Sequence, residues 1–267
     1  MLDHFDRSIS YLRISVTDQC NFRCLYCMPP DMDLKFMPAE EILTVEEIRN
    51  VVTTLVPYGI RKIRLTGGEP LFRPDIVEIV KAITSVEGIN DVGLTTNGML
   101  LHKYAQPLFD AGLKRINISL DTLDAAKFER LTSGGQLPHL LRAIEKAQKI
   151  GFSPIKINCV RTEDFSAADR AELENFCNSN GLQLRFIRQM DLKKGYFWPV
   201  EGGEGGDCKI CNRIRLTADG YFKPCLFNDR AYSIREEGVE SAFLKTIDNK
   251  PERGEINSKN RFSNIGG

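Results

Sequence analysis

No sign of charge dominates this chain of 267 residues. Lysine plus arginine and aspartate plus glutamate both number 36, so the formal net charge is zero. A chain-wide basic field that would attract nucleic acid is excluded, although local basic clusters can still bind phosphates. Two further features are missing: a charged-then-apolar leader at the N-terminus, and any apolar run long enough to span a bilayer. We therefore expect a cytoplasmic protein with neither a nucleic-acid nor a membrane partner. No repeat of solenoid period occurs. What is present is enough for a full core: 42% of the residues are apolar, and the length suits one large α/β domain, alone or with a small appendage.

Eight cysteines in such a chain imply a reducing compartment with thiolates kept for metals. Three of them, Cys20, Cys24 and Cys27, form a C-x3-C-x2-C loop after an apolar stretch. Three thiolates this close can hold three irons of a four-iron cluster and leave the fourth open to bind and reduce another molecule. A structural zinc site is the alternative. Zinc usually takes four ligands in closed tetrahedral sites, and no fourth Cys or His lies near this loop. Cys208, Cys211 and Cys225 form a second triad, C-x2-C-x13-C. The apolar alternation of Ile214 and Leu216 before Asp219-Gly220 predicts a hairpin that returns Cys225 beside the first two. A second iron–sulfur cluster and a zinc ribbon are both open there. Cys159 and Cys177 read as inert core residues. His102, His139 and Trp198 receive no assignment.

The first two-thirds alternates strand and helix patterns. Strands are predicted at 9–16, 61–65, 92–95, 115–120, 154–160 and 182–187. Helices are predicted at 44–57, 74–86, up to Gly112, and at 124–131, 137–150 and 166–180. Thr44 and Glu47 form a capping box. Six βα units with short links predict an α/β fold, a partial (βα)6 barrel of TIM type. That barrel would occupy residues 1–190, a glycine-rich linker 191–206, and a small C-terminal auxiliary-cluster domain with a Gly-Gly tail 207–267. Each predicted strand ends in or carries polar or ligand-type residues: the cysteine loop, Thr66-Gly67-Gly68-Glu69-Pro70, Thr95-Thr96-Asn97-Gly98, Ser119-Leu120-Asp121, Lys156 with Asn158, and Arg185 to Met190. Turn chemistry explains any one of these. All six together place a site at the C-terminal mouth of the barrel. Arg213 and Arg215 stand two apart on the predicted hairpin and so share a face. Their forked guanidiniums suit phosphate or carboxylate; a solvated basic face is the alternative.

These motifs together are similar to a known family. The runs Arg13-Ile14-Ser15-Val16-Thr17-Asp18, Lys62 to Pro70, Leu94 to Gly98 and Cys211 to Gly220, with the terminal Gly266-Gly267, resemble the GTP 3′,8-cyclase family of radical S-adenosylmethionine (SAM) enzymes. The resemblance implies two [4Fe-4S] clusters, held by Cys20, Cys24, Cys27 and by Cys208, Cys211, Cys225, together with SAM. It implies SAM contacts at Tyr26, Gly68, Glu69, Ser119 and Met190. GTP contacts would fall at Arg13, Arg64, Thr95, Lys156, Arg185, Arg213 and Arg215, and a catalytic part at Arg213, Arg215, Gly266 and Gly267. The implied reaction is a lyase step of molybdenum-cofactor biosynthesis. A 5′-deoxyadenosyl radical would remove hydrogen from ribose C3′ of GTP, and the sugar radical would close onto guanine C8. A flavodoxin- or ferredoxin-like electron donor is implied as partner, and a homodimer is one of the arrangements expected.

The chain departs from that family in two places. Only residues 191–207 join Met190 to Cys208, where relatives carry a longer segment. Arg188 stands where they usually have an acid. Both motivate an alternative: a related radical SAM enzyme with one auxiliary cluster, acting on a peptide or another nucleotide. A non-enzymatic scaffold or sensor is the third reading, and Gly67-Gly68-Glu69-Pro70 argues against it, since a scaffold has no use for a SAM-shaped site.

Overall fold

The computed structural model describes residues 1–28 and 33–266. Six parallel strands, β1 (Tyr11–Ser15), β2 (Lys62–Thr66), β3 (Asp91–Thr96), β4 (Arg115–Ser119), β5 (Ile155–Arg161) and β6 (Gln183–Arg188), lie side by side in chain order. The crossovers between them carry α1 (Val45–Leu55), α2 (Ile76–Thr84), α3 (Leu101–Asp110), α4 (Ala125–Thr132), α5 (Leu137–Ile150) and α6 (Ala167–Ser179). The expected capping box starts α1: the Glu47 N–H donates to Thr44 Oγ1 at 3.1 Å, and the Thr44 N–H donates back to Glu47 Oε2 at 2.8 Å. Helix α2 begins two residues later than the sequence pattern suggests, with Asp75 as its N-cap.

Strand polarity alternates as the pleat requires. Leu12, Ile14, Ile63 and Leu65 are wholly buried with α1 residues Val51, Val52 and Leu55 in one core. Arg13 and Arg64, between them in sequence, line a cavity instead.

Three more strands extend the same sheet past β1: β7 (Arg213–Leu216), β8 (Tyr221–Lys223) and β9 (Tyr232–Ser233). Strand β7 pairs parallel with β1, β8 pairs antiparallel with β7, and β9 antiparallel with β8. The predicted hairpin is therefore present and also docks, its Ile214, Leu216 and Phe222 joining the barrel's core. Helices α7 (Ile234–Glu237), α8 (Val239–Asp248) and α9 (Phe262–Ile265) follow. Residues 191–206 fold back on β6: the Phe186 and Glu201 backbones pair, with Phe186 N donating to Glu201 O at 3.1 Å. A second small core joins this segment to the tail, with Leu192, Leu226, Phe227 and Ile265 buried together. Among the described residues no helix is long and apolar enough to cross a membrane.

Candidate active site

Register across the sheet aligns the cations. Arg13 on β1 stands opposite Arg64 on β2 and Arg215 on β7. One layer away, Tyr11 stands opposite Lys62 and Arg213. On the far side Asn158 pairs with Arg185, and Asn117 with Lys156. The Arg64 guanidinium lies across β3, where Gly93 makes room: a Cβ there would sit 2.3 Å from Arg64 Nη1. Arg64 Nη1 donates to Asn117 Oδ1 at 3.1 Å.

These groups, with Thr95, surround a cavity of about 210 Å³. Loss of water and mutual repulsion act on them together. Burial, then Arg13 and Arg213, bring Arg215 down to about 9. Burial, then Arg185, Arg115, Arg64 and Lys62, bring Lys156 to about 8. Burial would raise the Tyr11 phenol, but Arg13, Arg64 and Arg213 hold it down at about 8. A cavity that disfavours its own cations this much is built for a polyanion.

A second cavity of about 200 Å³ abuts the first and shares Thr95, Asn158, Ile187 and Met190 with it. Cys20, Cys24, Cys27, Tyr26, Gly68, Glu69 and Ser119 line it. The Gly67-Gly68-Glu69 loop is bound to the cysteine loop: Gly68 N donates to Thr17 O at 2.8 Å and Glu69 N to Gln19 O at 2.7 Å. A Cβ at position 68 would stand 2.2 Å from Gln19 O, so glycine is needed for this approach. Glu69 is buried and accepts from Thr96 Oγ1 at 2.7 Å, Asn97 N at 2.7 Å and Leu71 N at 3.0 Å. Burial wins over these bonds and lifts its carboxyl to about 7. Tyr26 donates to Asp121 Oδ2 at 2.7 Å, and burial raises Asp121 to about 6.

The first three thiols line one cavity together, as the ligands of a single cluster would. Burial drives Cys20 to about 11 and Cys27 to about 12, and Cys24 higher still, with Asp121 and the neighbouring sulfurs adding to it. As free thiols they are neutral; coordination deprotonates such groups. Cys208, Cys211 and Cys225 face the first cavity. Phe227 N donates to Cys225 Sγ at 3.4 Å. Among the described residues no three His, Cys, Asp or Glu side chains gather closely enough for a single metal ion.

The tail reaches this region. Arg215 Nη1 donates to the carbonyls of Ile265, at 3.0 Å, and Gly266. Gly266 is left-handed, with φ +64°, and a Cβ there would lie 2.2 Å from Thr66 Cγ2. It is packed between β2 and β7, while Gly267 falls outside the described residues. Arg213 Nη2 is tied to Glu204 O at 3.0 Å, and Arg185 Nε to Gly202 O at 3.3 Å. The glycine-rich segment, expected as a flexible linker, thus forms a wall of the cation cavity. Arg188 stacks on Trp198 at 4.0 Å and joins that wall to β6.

Asn158, expected at the site, lines both cavities, and its Oδ1 is buried with no hydrogen-bond partner among the described residues. Two residues of the site escape sequence reasoning. Lys250 reaches the second triad from α8's end, and Arg7 reaches it from the N-terminus; no local pattern marks either. Cys159 and Cys177 are buried core residues as expected. His102 and His139 contact each other, Nδ1 to Nε2 at 3.0 Å, on the exposed surface.

The family described as the Radical SAM superfamily matches residues 14–177. The chain is 38% identical to a protein named GTP 3′,8-cyclase from Listeria monocytogenes serotype 4b, over 95% of this chain and 92% of that one. It is 36% identical to the protein of that name from Thermodesulfovibrio yellowstonii, over the whole of both. The latter alignment runs over 322 positions against 267 residues here, so the relative carries stretches this chain lacks. Among solved structures, Streptococcus suis SuiB bound to S-adenosylmethionine superposes with TM-score 0.70 at 17% identity, over 91% of this chain and 64% of that one. The anSMEcpe enzyme with bound AdoMet gives 0.67 at 15%, over 91% and 78%. These likenesses show the fold.

Proposed function

Since the chain belongs to the radical SAM superfamily, and within it to the GTP 3′,8-cyclase family, we propose that it converts GTP to 3′,8-cyclo-7,8-dihydro-GTP. It is a radical SAM enzyme. One observation carries the choice of substrate: Arg13, Arg64, Lys156, Arg185, Arg213 and Arg215 converge on one cavity that opens onto the cavity of the first cysteine triad. A triphosphate answers six cations; a neutral peptide does not.

Cys20, Cys24 and Cys27 would hold the SAM-binding cluster, and Cys208, Cys211 and Cys225 an auxiliary one. With SAM bound, such a cluster would supply the reductive chemistry that makes a 5′-deoxyadenosyl radical, the species that would take hydrogen from the ribose. The chain's own residues do the rest. Glu69 and the backbone at Gly68 receive SAM, with Tyr26, Ser119 and Met190 lining its cavity. The arginines bind the triphosphate and orient the ribose toward the shared wall of Thr95, Asn158 and Met190. Arg215 ties the C-terminal tail to that layer, which supports a part for Arg213, Arg215 and Gly266 in closing the site over substrate and excluding water. Residues 207–267 would serve as the auxiliary-cluster unit and 1–190 as the barrel. A flavodoxin- or ferredoxin-like donor, a cytoplasmic location and a homodimer accompany this reading.

Arg188 and the shortened wall keep a second reading in view, a related enzyme acting on a peptide or another nucleotide. The deciding test is anaerobic turnover of reconstituted protein with SAM, dithionite and GTP, read by mass spectrometry. Joint appearance of 5′-deoxyadenosine and a cyclised GTP product is expected. Arg213→Ala and Arg215→Ala should each weaken GTP binding roughly 10- to 150-fold, the worth of a charge-assisted hydrogen bond. Cleavage of SAM with GTP returned unchanged, and wild-type GTP affinity in both variants, would point to the second substrate class.

A further inference from the structure

Behind the second cysteine triad lies a lysine that has no carboxylate in ion-pair contact among the described residues. Lys250 follows α8 and is 3% exposed. Its Nζ donates to Arg213 O and Pro224 O, both at 2.8 Å, and stands 3.6 Å from Cys211 Sγ. An ammonium has three N–H donors, and these three acceptors account for them. Arg213 is two residues past Cys211, and Pro224 immediately precedes Cys225, so the lysine braces both arms of the triad. The third arm is braced by Arg7, which donates to Cys208 O at 2.9 Å. The two cations differ in one respect. Arg7 is paired with Asp3 at 2.7 Å, whereas the acceptors of Lys250 are two neutral carbonyls and one sulfur.

A buried ammonium without a counter-charge is costly. A triad of thiolates carrying a cluster provides that charge at the observed contact. Cluster potentials respond to hydrogen bonds on their sulfurs and to local charge. Reduction adds one negative charge, which a cation on a ligand sulfur stabilises more in the reduced state than in the oxidised. We infer that Lys250 is a positioning residue for the second cluster: it donates an N–H···S hydrogen bond to Cys211 and holds the reduction potential of that cluster up. This rests on the cluster assignment of Cys208, Cys211 and Cys225.

The test uses full-length protein with Cys20, Cys24 and Cys27 replaced by alanine, so that a single cluster titrates with dithionite under EPR. About four irons per chain are expected. In Lys250→Met the ratio of reduced to oxidised cluster at fixed poise should fall about tenfold, which is ~59 mV for a one-electron couple. Lys250→Arg, which keeps the charge, should restore most of it. Unaltered protein labelled with 15N at lysine Nζ should show a 15N hyperfine coupling to the reduced second cluster that Lys250→Arg abolishes. This coupling decides the matter if Lys250→Met loses its iron. An unmoved midpoint in iron-replete Lys250→Met, or no 15N coupling, overturns the role of Lys250 while leaving the cluster in place. Zinc in place of iron in the parent overturns the cluster assignment and the inference together.

Discussion

Glu69→Gln is the substitution whose outcome follows most directly from the geometry. The carboxyl is buried where it lines the cavity of the first cysteine triad, and burial lifts it to about 7 against the ordinary 4.5. Its three donors, from Thr96, Asn97 and Leu71, favour the ionised form but do not outweigh desolvation. A raised carboxyl stabilises the apo protein fully below about 4.5, and that contribution is lost as pH rises through 7. Binding a ligand ammonium works in the opposite direction, because it selects the ionised form. With the folded value at 7, the ionised fraction climbs from roughly one-eleventh at pH 6 to ten-elevenths at pH 8, so SAM affinity should improve about tenfold over that range. The amine of SAM titrates near the top of this window, and Glu69→Gln provides the control, since the ligand's own titration cancels in the ratio of the two proteins. The amide also turns one acceptor into a donor facing a donor, a cost of about 1–3 kcal/mol, so the variant should bind SAM more weakly at pH 8. Equilibrium SAM binding to anaerobically reconstituted protein at pH 6, 7 and 8 measures both effects. A wild-type to variant ratio that stays flat over these pH values would refute a charged contact between Glu69 and SAM.

Further outcomes follow from the same contacts. Gly68→Ala should abolish SAM cleavage, because its Cβ falls 2.2 Å from Gln19 O; iron content of the first triad, followed by absorbance, should drop less than activity does. Deleting residues 266–267 removes one carbonyl held by Arg215 and should suppress GTP product formation while 5′-deoxyadenosine formation persists, as seen by chromatography of the two products. Lys156 lies low, at about 8, and a bound triphosphate restores its ordinary value. GTP affinity should therefore weaken at least tenfold between pH 7 and pH 9, and Lys156→Met should lessen that dependence in a calorimetric titration, leaving the share of Tyr11 and Arg215, which titrate in the same cavity.

Much of this architecture was legible in the chain. The cysteine spacings, the Gly-Gly-Glu-Pro run and the six βα periods are local patterns, and local chemistry dictates them. The strands expected at 9–16 and 61–65 are present, with Leu12, Ile14, Ile63 and Leu65 in the core, and Thr44 with Glu47 marked the start of α1. The segment 191–206 was legible only as composition. Its glycines read as flexibility, yet they belong to a wall, because the backbone pairing of Phe186 with Glu201 and the hydrogen bonds to Arg185 and Arg213 are contacts with distant strands.

What the chain determined by itself is the inventory: two thiol triads, a set of cations on alternate strand positions, and glycines where backbone must approach backbone. Tertiary structure decided which of these meet. Arg215 reaches Arg13 and Arg64 because β7 pairs parallel with β1 across some two hundred residues of chain, a choice no local period encodes. Lys250 reaches Cys211, and Gly266 reaches Arg215, for the same reason. The physical cause is range. Strand and helix periods act over a few residues, whereas sheet order and register are set by how the whole set of apolar faces packs, and the polar face of the site is what that packing leaves over.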